Sequence, residues 1–176
     1  LTVIIIIVGM ALLFDFMNGF HDAANAIATV VSTGVLKPQV AVGVAAFMNI
    51  IAIFISDLHV ATTIGKGIVD AAIVDHYIVF GALFGAIAWN IITWYYGIPS
   101  SSSHALVGGL IGAALAKSGA SSLIASGILK VVAFIVISPV LGFVFGSFMM
   151  LLISWLFVRA APRSVDRWFR RIQLFT

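Results

Sequence analysis

Apolar residues fill this chain in five long stretches, separated by short polar interruptions. The first, Leu1–Val31, exceeds the roughly 20 residues that a straight helical crossing of a bilayer needs, so a tilted, broken or partly re-entrant segment is expected. Gln39–Ser56 follows a turn at Lys37-Pro38. His76–Tyr96 closes on Trp94-Tyr95-Tyr96, an aromatic run suited to a membrane interface. Ser103–Ala116 is short for a crossing and fits a half-helix or re-entrant hairpin. Val131–Val158 is long, with Ser138-Pro139 as an expected kink. The pattern predicts an all-α integral membrane protein with about five hydrophobic segments, two of them broken or re-entrant. An odd number of spans suits one unit of an inverted-repeat secondary transporter, since tandem copies would then be oppositely oriented.

Within the first stretch lies a polar stripe. Asp15, Asn18, Asp22, Asn25 and Thr29 recur at helical spacing and share one face. Acids at this depth are costly against lipid, so the face should look into a bundle interior or a watery cavity. Gly19, mid-stripe, marks an expected bend or break. A second polar interruption, Gly97-Ile98-Pro99-Ser100-Ser101-Ser102-Ser103-His104, falls between the third and fourth segments. The two stretches read as the two walls of one solute site.

Composition excludes a soluble domain: 62% of residues are hydrophobic and 9% charged, against roughly a quarter charged in soluble proteins. There is no Glu and no Cys, which removes disulfides and thiolate metal sites. No basic region precedes Leu1, so no signal peptide is apparent and the chain is expected to start inside its first helix. Arg159, Arg163, Arg167, Arg170 and Arg171 supply five of the nine basic residues. They mark topology rather than nucleic-acid binding. Val165, Trp168, Phe169 and Ile172 share the opposite helical face, giving an amphipathic helix on an anionic leaflet. That places the tail in the cytoplasm. Counting back through five crossings puts Lys37 inside and both the N-terminus and the 57–75 loop outside, whereas a re-entrant fourth segment inverts everything before it. The loop is expected to hold a short surface helix, and its group Asp57, His59, Asp75 and His76 is read as solvated rather than metal-binding. Gly81/Gly85, Gly108/Gly112 and Gly142/Gly146 are spaced for close helix packing.

No Lys or Arg occurs at 1–36, 38–65 or 67–116. An anion held by the first four segments would therefore rely on helix N-terminal N–H groups, hydroxyls, amides and a bound cation. Ser100 to Ser103, opening an apolar helix after Pro99, suit that task. Asp22 would repel the anion unless protonated or neutralised by a cation, which couples anion and cation binding as a symporter requires. Helix capping and packing are the plainer roles, but four serines and a histidine at membrane depth exceed them. Asn49, Asn90 and Thr93 suit either a cation site or ties between helices. His104 is four residues after Ser100, the spacing of a Ser–His pair. Without a G-x-S-x-G elbow an intramembrane hydrolase is disfavoured, and a structural or proton-carrying role suits His104 better.

Gly19-Phe20-His21-Asp22-Ala23-Ala24-Asn25-Ala26 and Gly97-Ile98-Pro99-Ser100-Ser101-Ser102-Ser103-His104-Ala105-Leu106-Val107-Gly108 resemble, in this order, the two motifs of the inorganic phosphate transporter (Pit) family. Trp89-Asn90-Ile91-Ile92-Thr93-Trp94 is similar to the stretch before the second motif. His21, and Ser rather than Thr before His104, look most like bacterial low-affinity members. The resemblance implies phosphate transport driven by a cation gradient, with no cofactor. The candidate phosphate set is Asp22, Asn25, Ser101, Ser102, Ser103 and His104. The candidate cation-coupling set is Asp22, Asn25, Thr29, Asn49 and Asn90. Sodium-coupled relatives often carry Glu where Asn49 stands, which favours protons over sodium. Some bacterial relatives carry a neutral metal–phosphate complex, and another oxyanion or a divalent metal is the alternative cargo. Members hold two such units, and Arg170–Thr176 resembles the approach to the second. The expected organisation is a transmembrane half-transporter at 1–158 and a basic cytoplasmic segment at 159–176, in a bacterial inner membrane. Its expected partners are phosphate, lipid and a second half or another copy, with no nucleic acid.

Overall fold

The structure, a computed structural model, describes residues 1–55 and 67–173. Its helices are α1 (Thr2–Ser32), α2 (Pro38–Ile55), α3 (His76–Tyr95), α4 (Ser102–Ser118), α5 (Ala125–Leu156) and α6 (Pro162–Ile172). α1, α3 and α5 are long and apolar enough to cross a membrane, and α2 is a shorter apolar helix. The chain is an all-α integral membrane protein. Asp57, His59, Lys66 and the expected surface helix fall outside the described residues.

The helix ends follow from glycine. Gly34 and Gly97 take left-handed φ values of 68° and 64°. After each, the chain folds back on the helix: Val35 N donates to Val30 O at 3.0 Å and Ile98 N to Thr93 O at 2.8 Å. Gly34 N and Gly97 N donate to Val31 O and Trp94 O. These paired bonds are the Schellman closure of a helix C-terminus.

The expected break at Gly19 does not occur: α1 runs through it as one helix, about 46 Å long. One interior glycine costs a helix only about 1 kcal/mol. Pro139 lies inside α5. Between the fourth and fifth segments, α4 extends to Ser118, a 3₁₀ turn occupies Ala120–Ser122, and Lys130 lies in α5.

The chain divides into two compact units, Leu1–Ala24 with Ile55–Leu129, and Asn25–Phe54 with Lys130–Thr176. In the first, α3 and α4 form an antiparallel hairpin. A Cβ on Gly81 would lie 3.1 Å from Ala113 Cβ, and one on Gly85 would lie 3.6 Å from Gly109 Cα. A Cβ on Gly109 would overlap the backbone carbonyl of Ala82. The close-packed register on α4 is thus Gly109/Ala113, one residue on from the expected Gly108/Gly112, around which space is open. Gly142 and Gly146 also face open space. Phe14 of α1 packs with Leu83, Ala86 and Ile87 of α3, and Met10, Ala11, Ala105 and Leu106 extend this core.

At the other end of the hairpin two loops are stitched together. Val69 and Leu123 form an antiparallel bridge, flanked by Asp70 N→Ser122 O at 3.0 Å and Ile124 N→Ile68 O at 2.9 Å. Asp75 caps α3, accepting from Tyr77 N and Ile78 N, and its other oxygen meets Lys117 Nζ at 2.8 Å. Lys117 also donates to Ile73 O. The second unit is built differently. Among its described residues only Ala41 is buried, and large apolar side chains along α2 and α5 are exposed. Apolar surface of this extent calls for lipid or protein cover.

Gly109→Ala should destabilise the protein by about 1–3 kcal/mol, the usual cost of overpacking, while Gly112→Ala, with room for its methyl group, should stabilise it by about 0.5–1 kcal/mol. Thermal unfolding in detergent compares the two. The Lys117 ammonium, with the Ile78 amide, holds the Asp75 carboxyl below its ordinary value of 3.8. This stabilisation is present above that value and is lost as pH falls through the lowered one. Unfolding followed from pH 6 to pH 3 should show a loss of stability that is smaller in Asp75→Asn, which keeps the cap but not the charge.

Candidate functional site

The α3–α4 turn builds the site. After Gly97 reverses the chain, Pro99 holds Ile98 out of helical geometry. Ser100 still precedes the helix, and its hydroxyl accepts from Trp89 Nε1 of α3 at 3.1 Å. Ser101, with extended backbone angles, is the N-cap of α4 and accepts from His104 N at a long 3.4 Å. Ala105 N donates to Ser101 O. This leaves the Ser102 and Ser103 N–H groups outside the helical ladder, where the helix dipole favours an anion. Ser103 and His104 are exposed. Ser102 is 4% exposed, and its hydroxyl has no partner among the described residues.

Beside this helix start lies a cleft of about 400 Å³ bordered by Trp89, Ser100, Ser101, His104 and the small Gly85 and Gly109. Its lining contains no Asp, Glu, Lys or Arg. The close approach that glycine permits between α3 and α4 therefore also shapes the cleft.

Asn90 is the other unusual residue. It is 1% exposed, and neither its side-chain oxygen nor its nitrogen has a partner among the described residues. Buried amides are rarely left so, and each points to a ligand, a water or an uncounted neighbour. The Asn90 carbonyl, by contrast, is well served. Thr93 Oγ1 lies 3.2 Å from it and 2.9 Å from Trp89 O. His21 Nε2 lies 2.9 Å from Asn90 O, across from α1 to α3. A carbonyl can only accept, so His21 carries its proton on Nε2. Sequence reasoning passed over His21 in favour of Asp22. The signal was its position two helical turns after Phe14, on the packed face rather than the polar stripe.

The remaining candidates are distributed as follows. Asp22 is exposed on α1 in the first unit and does not border the cleft. Asn25 and Thr29 of α1 and Asn49 of α2 are exposed and belong to the second unit. Thr29 O accepts from the Thr33 hydroxyl at 2.7 Å and the Ser32 hydroxyl at 3.1 Å, closing the end of α1. Of the predicted phosphate set, Ser101 and His104 line the cleft. The Ser100–His104 pair expected on one helical face does not form, because Ser100 precedes the helix and its hydroxyl is taken by Trp89.

Residues 18–175 match the family model described as the phosphate transporter family. The chain belongs to this family. Phosphate transporter family relatives include a probable low-affinity inorganic phosphate transporter of Rhizobium meliloti, 58% identical over 167 residues, covering 95% of this chain and 50% of that protein. One of Bacillus subtilis with the same description is 45% identical over 178 residues, covering 100% of this chain and 53% of that protein. A solved structure described as the sodium-dependent phosphate transporter superposes with a TM-score of 0.86 at 31% identity, covering 93% of this chain and 42% of that one. The chain thus spans about half the length of the curated relatives it matches. By family and by the names of its relatives it is of a transporter type, not an enzyme.

Removing the Ser101 cap should cost the helix start about 0.5–1 kcal/mol, the low end for N-caps given the long bond. Ser102→Ala deletes a buried hydroxyl that has no partner among the described residues, so its thermal stability should equal or slightly exceed that of the parent. Unfolding midpoints of the two alanine variants test the contrast.

Proposed function

We propose that this chain is one half of a secondary transporter that carries inorganic phosphate across a bacterial cytoplasmic membrane by cation symport. The observation that carries the reading is the start of α4. In a phosphate transporter family chain, the start of α4, with two N–H groups outside the helical ladder, adjoins a cleft without fixed charge that Ser100, Ser101 and His104 line. In this reading Ser101, Ser102, Ser103 and His104 contact phosphate. Asp22, with Asn25, links phosphate to the cation, and Thr29, Asn49 and Asn90 complete the coupling set. Residues 1–158 form the membrane half-unit, and 159–176 is cytoplasmic and leads toward a second repeat. The buried Asn90 amide, without a partner among the described residues, supports a cation role, since its oxygen could ligate.

Protons are the first choice of coupling ion, because Asn49 replaces the carboxylate that sodium-coupled relatives often carry. Sodium is the second, supported by the likeness to a protein described as sodium-dependent. Phosphate uptake into proteoliposomes holding the two-repeat protein, under a proton or a sodium gradient imposed separately, decides between them. Uptake under the proton gradient alone is expected. Uptake that requires sodium would reverse the choice of ion, and transport of sulfate or a divalent metal without phosphate would remove the phosphate reading. Ser102→Ala should lower uptake at least about ten-fold, equivalent to roughly 1.4 kcal/mol, with stability intact. Asp22→Asn should abolish coupling.

A further inference from the structure

The C-terminal helix α6 presents a surface that phosphate transport leaves unused. Arg163, Arg167, Arg170 and Arg171 are all exposed and fall within about 100° of arc at 100° per residue. Val165, Trp168, Phe169 and Ile172 occupy the opposite side. The structure divides this apolar side in two. Val165 and Phe169 are half-buried, and Phe169 meets Phe157 edge-on with ring centroids 5.7 Å apart. Trp168 and Ile172 remain 63% and 48% exposed. Past the helix, the Gln173 amide lies 3.1 Å from the Thr33 hydroxyl. That hydroxyl already donates to Thr29 O at 2.7 Å, so the amide N–H serves as donor when the group is turned end for end. Asp166 engages Arg170 at 3.1 Å, but an exposed pair of this kind holds little energy. The helix is therefore held to its own unit by one edge, while a Trp–Ile wedge and three exposed arginines, without an ion pair among the described residues, face outward.

We propose that α6 binds anionic phospholipid headgroups. With Trp168 and Ile172 sunk roughly 5–10 Å into the boundary between headgroups and acyl chains, Arg163, Arg167 and Arg171 reach the level of the lipid phosphates. Charge complementarity selects this occupant, since each basic residue near an anionic surface strengthens attachment about five-fold. The free apolar pair excludes a purely ionic ligand, which would leave Trp168 in water. Because Phe157 and Thr33 anchor α6 to α5 and to the end of α1, lipid charge would set how firmly the ends of these two helices are clasped within their unit. This inference is independent of the solute carried.

The chain has no cysteine, so single labels can be placed cleanly. The protein would be reconstituted with a fluorophore at Trp168→Cys or, on the far side of the helix, at Asp166→Cys, in vesicles of phosphatidylcholine with or without phosphatidylglycerol and in phosphate-free buffer. Quenching by a lipid-borne quencher is read out, and a label at Phe143→Cys in α5 reports correct insertion. The label at 168, and not that at 166, should be quenched at least about two-fold more in the anionic vesicles. The difference should vanish in Arg163→Gln/Arg167→Gln/Arg171→Gln and in about 1 M salt. Quenching at 168 that ignores lipid charge would overturn the proposal. So would a 168 label shielded from both lipid and aqueous quenchers, which would mean that protein covers the face.

Discussion

The approach of α3 to α4 is the contact on which the first unit rests. Gly109 brings its backbone against the Ala82 carbonyl, and Gly85 meets Gly109 one turn further on. In a bilayer, where lipid tails satisfy apolar side chains as well as protein does, such close backbone packing is a main source of helix association. From it follow the position of the 97–101 turn, the walls of the cleft, and the groove of Leu83, Ala86 and Ile87 into which α1 lays Phe14.

α1 shows how one helix serves two tasks through neighbouring residues. His21 and Asp22 differ by about 100° around the axis. The histidine ties α1 to the Asn90 carbonyl, and the carboxylate beside it is left facing outward. An unpaired acid halfway along an apolar helix is costly in lipid, so the same turn that fixes the helix also demands a polar environment on its flank.

The spans were legible because hydropathy is a sum over twenty residues and tolerates local exceptions: His76–Tyr96 was read within one residue of α3. The first turn was read at Lys37-Pro38, whereas the helix stops at Gly34, and at Gly97 further on, where left-handed backbone favours glycine. What spacing cannot reveal is rotation about the helix axis. Gly108/Gly112 and Gly109/Ala113 are equivalent as patterns, and the choice between them belongs to α3. Likewise, the serine run declares polarity but not where the helix begins. Ser100 was therefore given a partner four residues on, although it stands outside α4 and pairs with Trp89 instead. His21 stayed hidden because its partner is a backbone carbonyl, which no side-chain pattern records.

The turn between α3 and α4 also sets the sign of the local field. Two helix termini of opposite polarity meet there, and their end charges would largely cancel if both were open. They are not equally open. The Schellman bonds supply donors to Thr93 O and Trp94 O, muting the negative end of α3, while Ser101 caps one N–H of α4 and leaves the first two bare. The imbalance makes this turn favourable to an anion, and the cleft beside it is lined by no Lys or Arg. An anion seated there would be attracted by oriented peptide dipoles that fade within a turn, gripped in place yet meeting no lasting charge to hold it back on leaving.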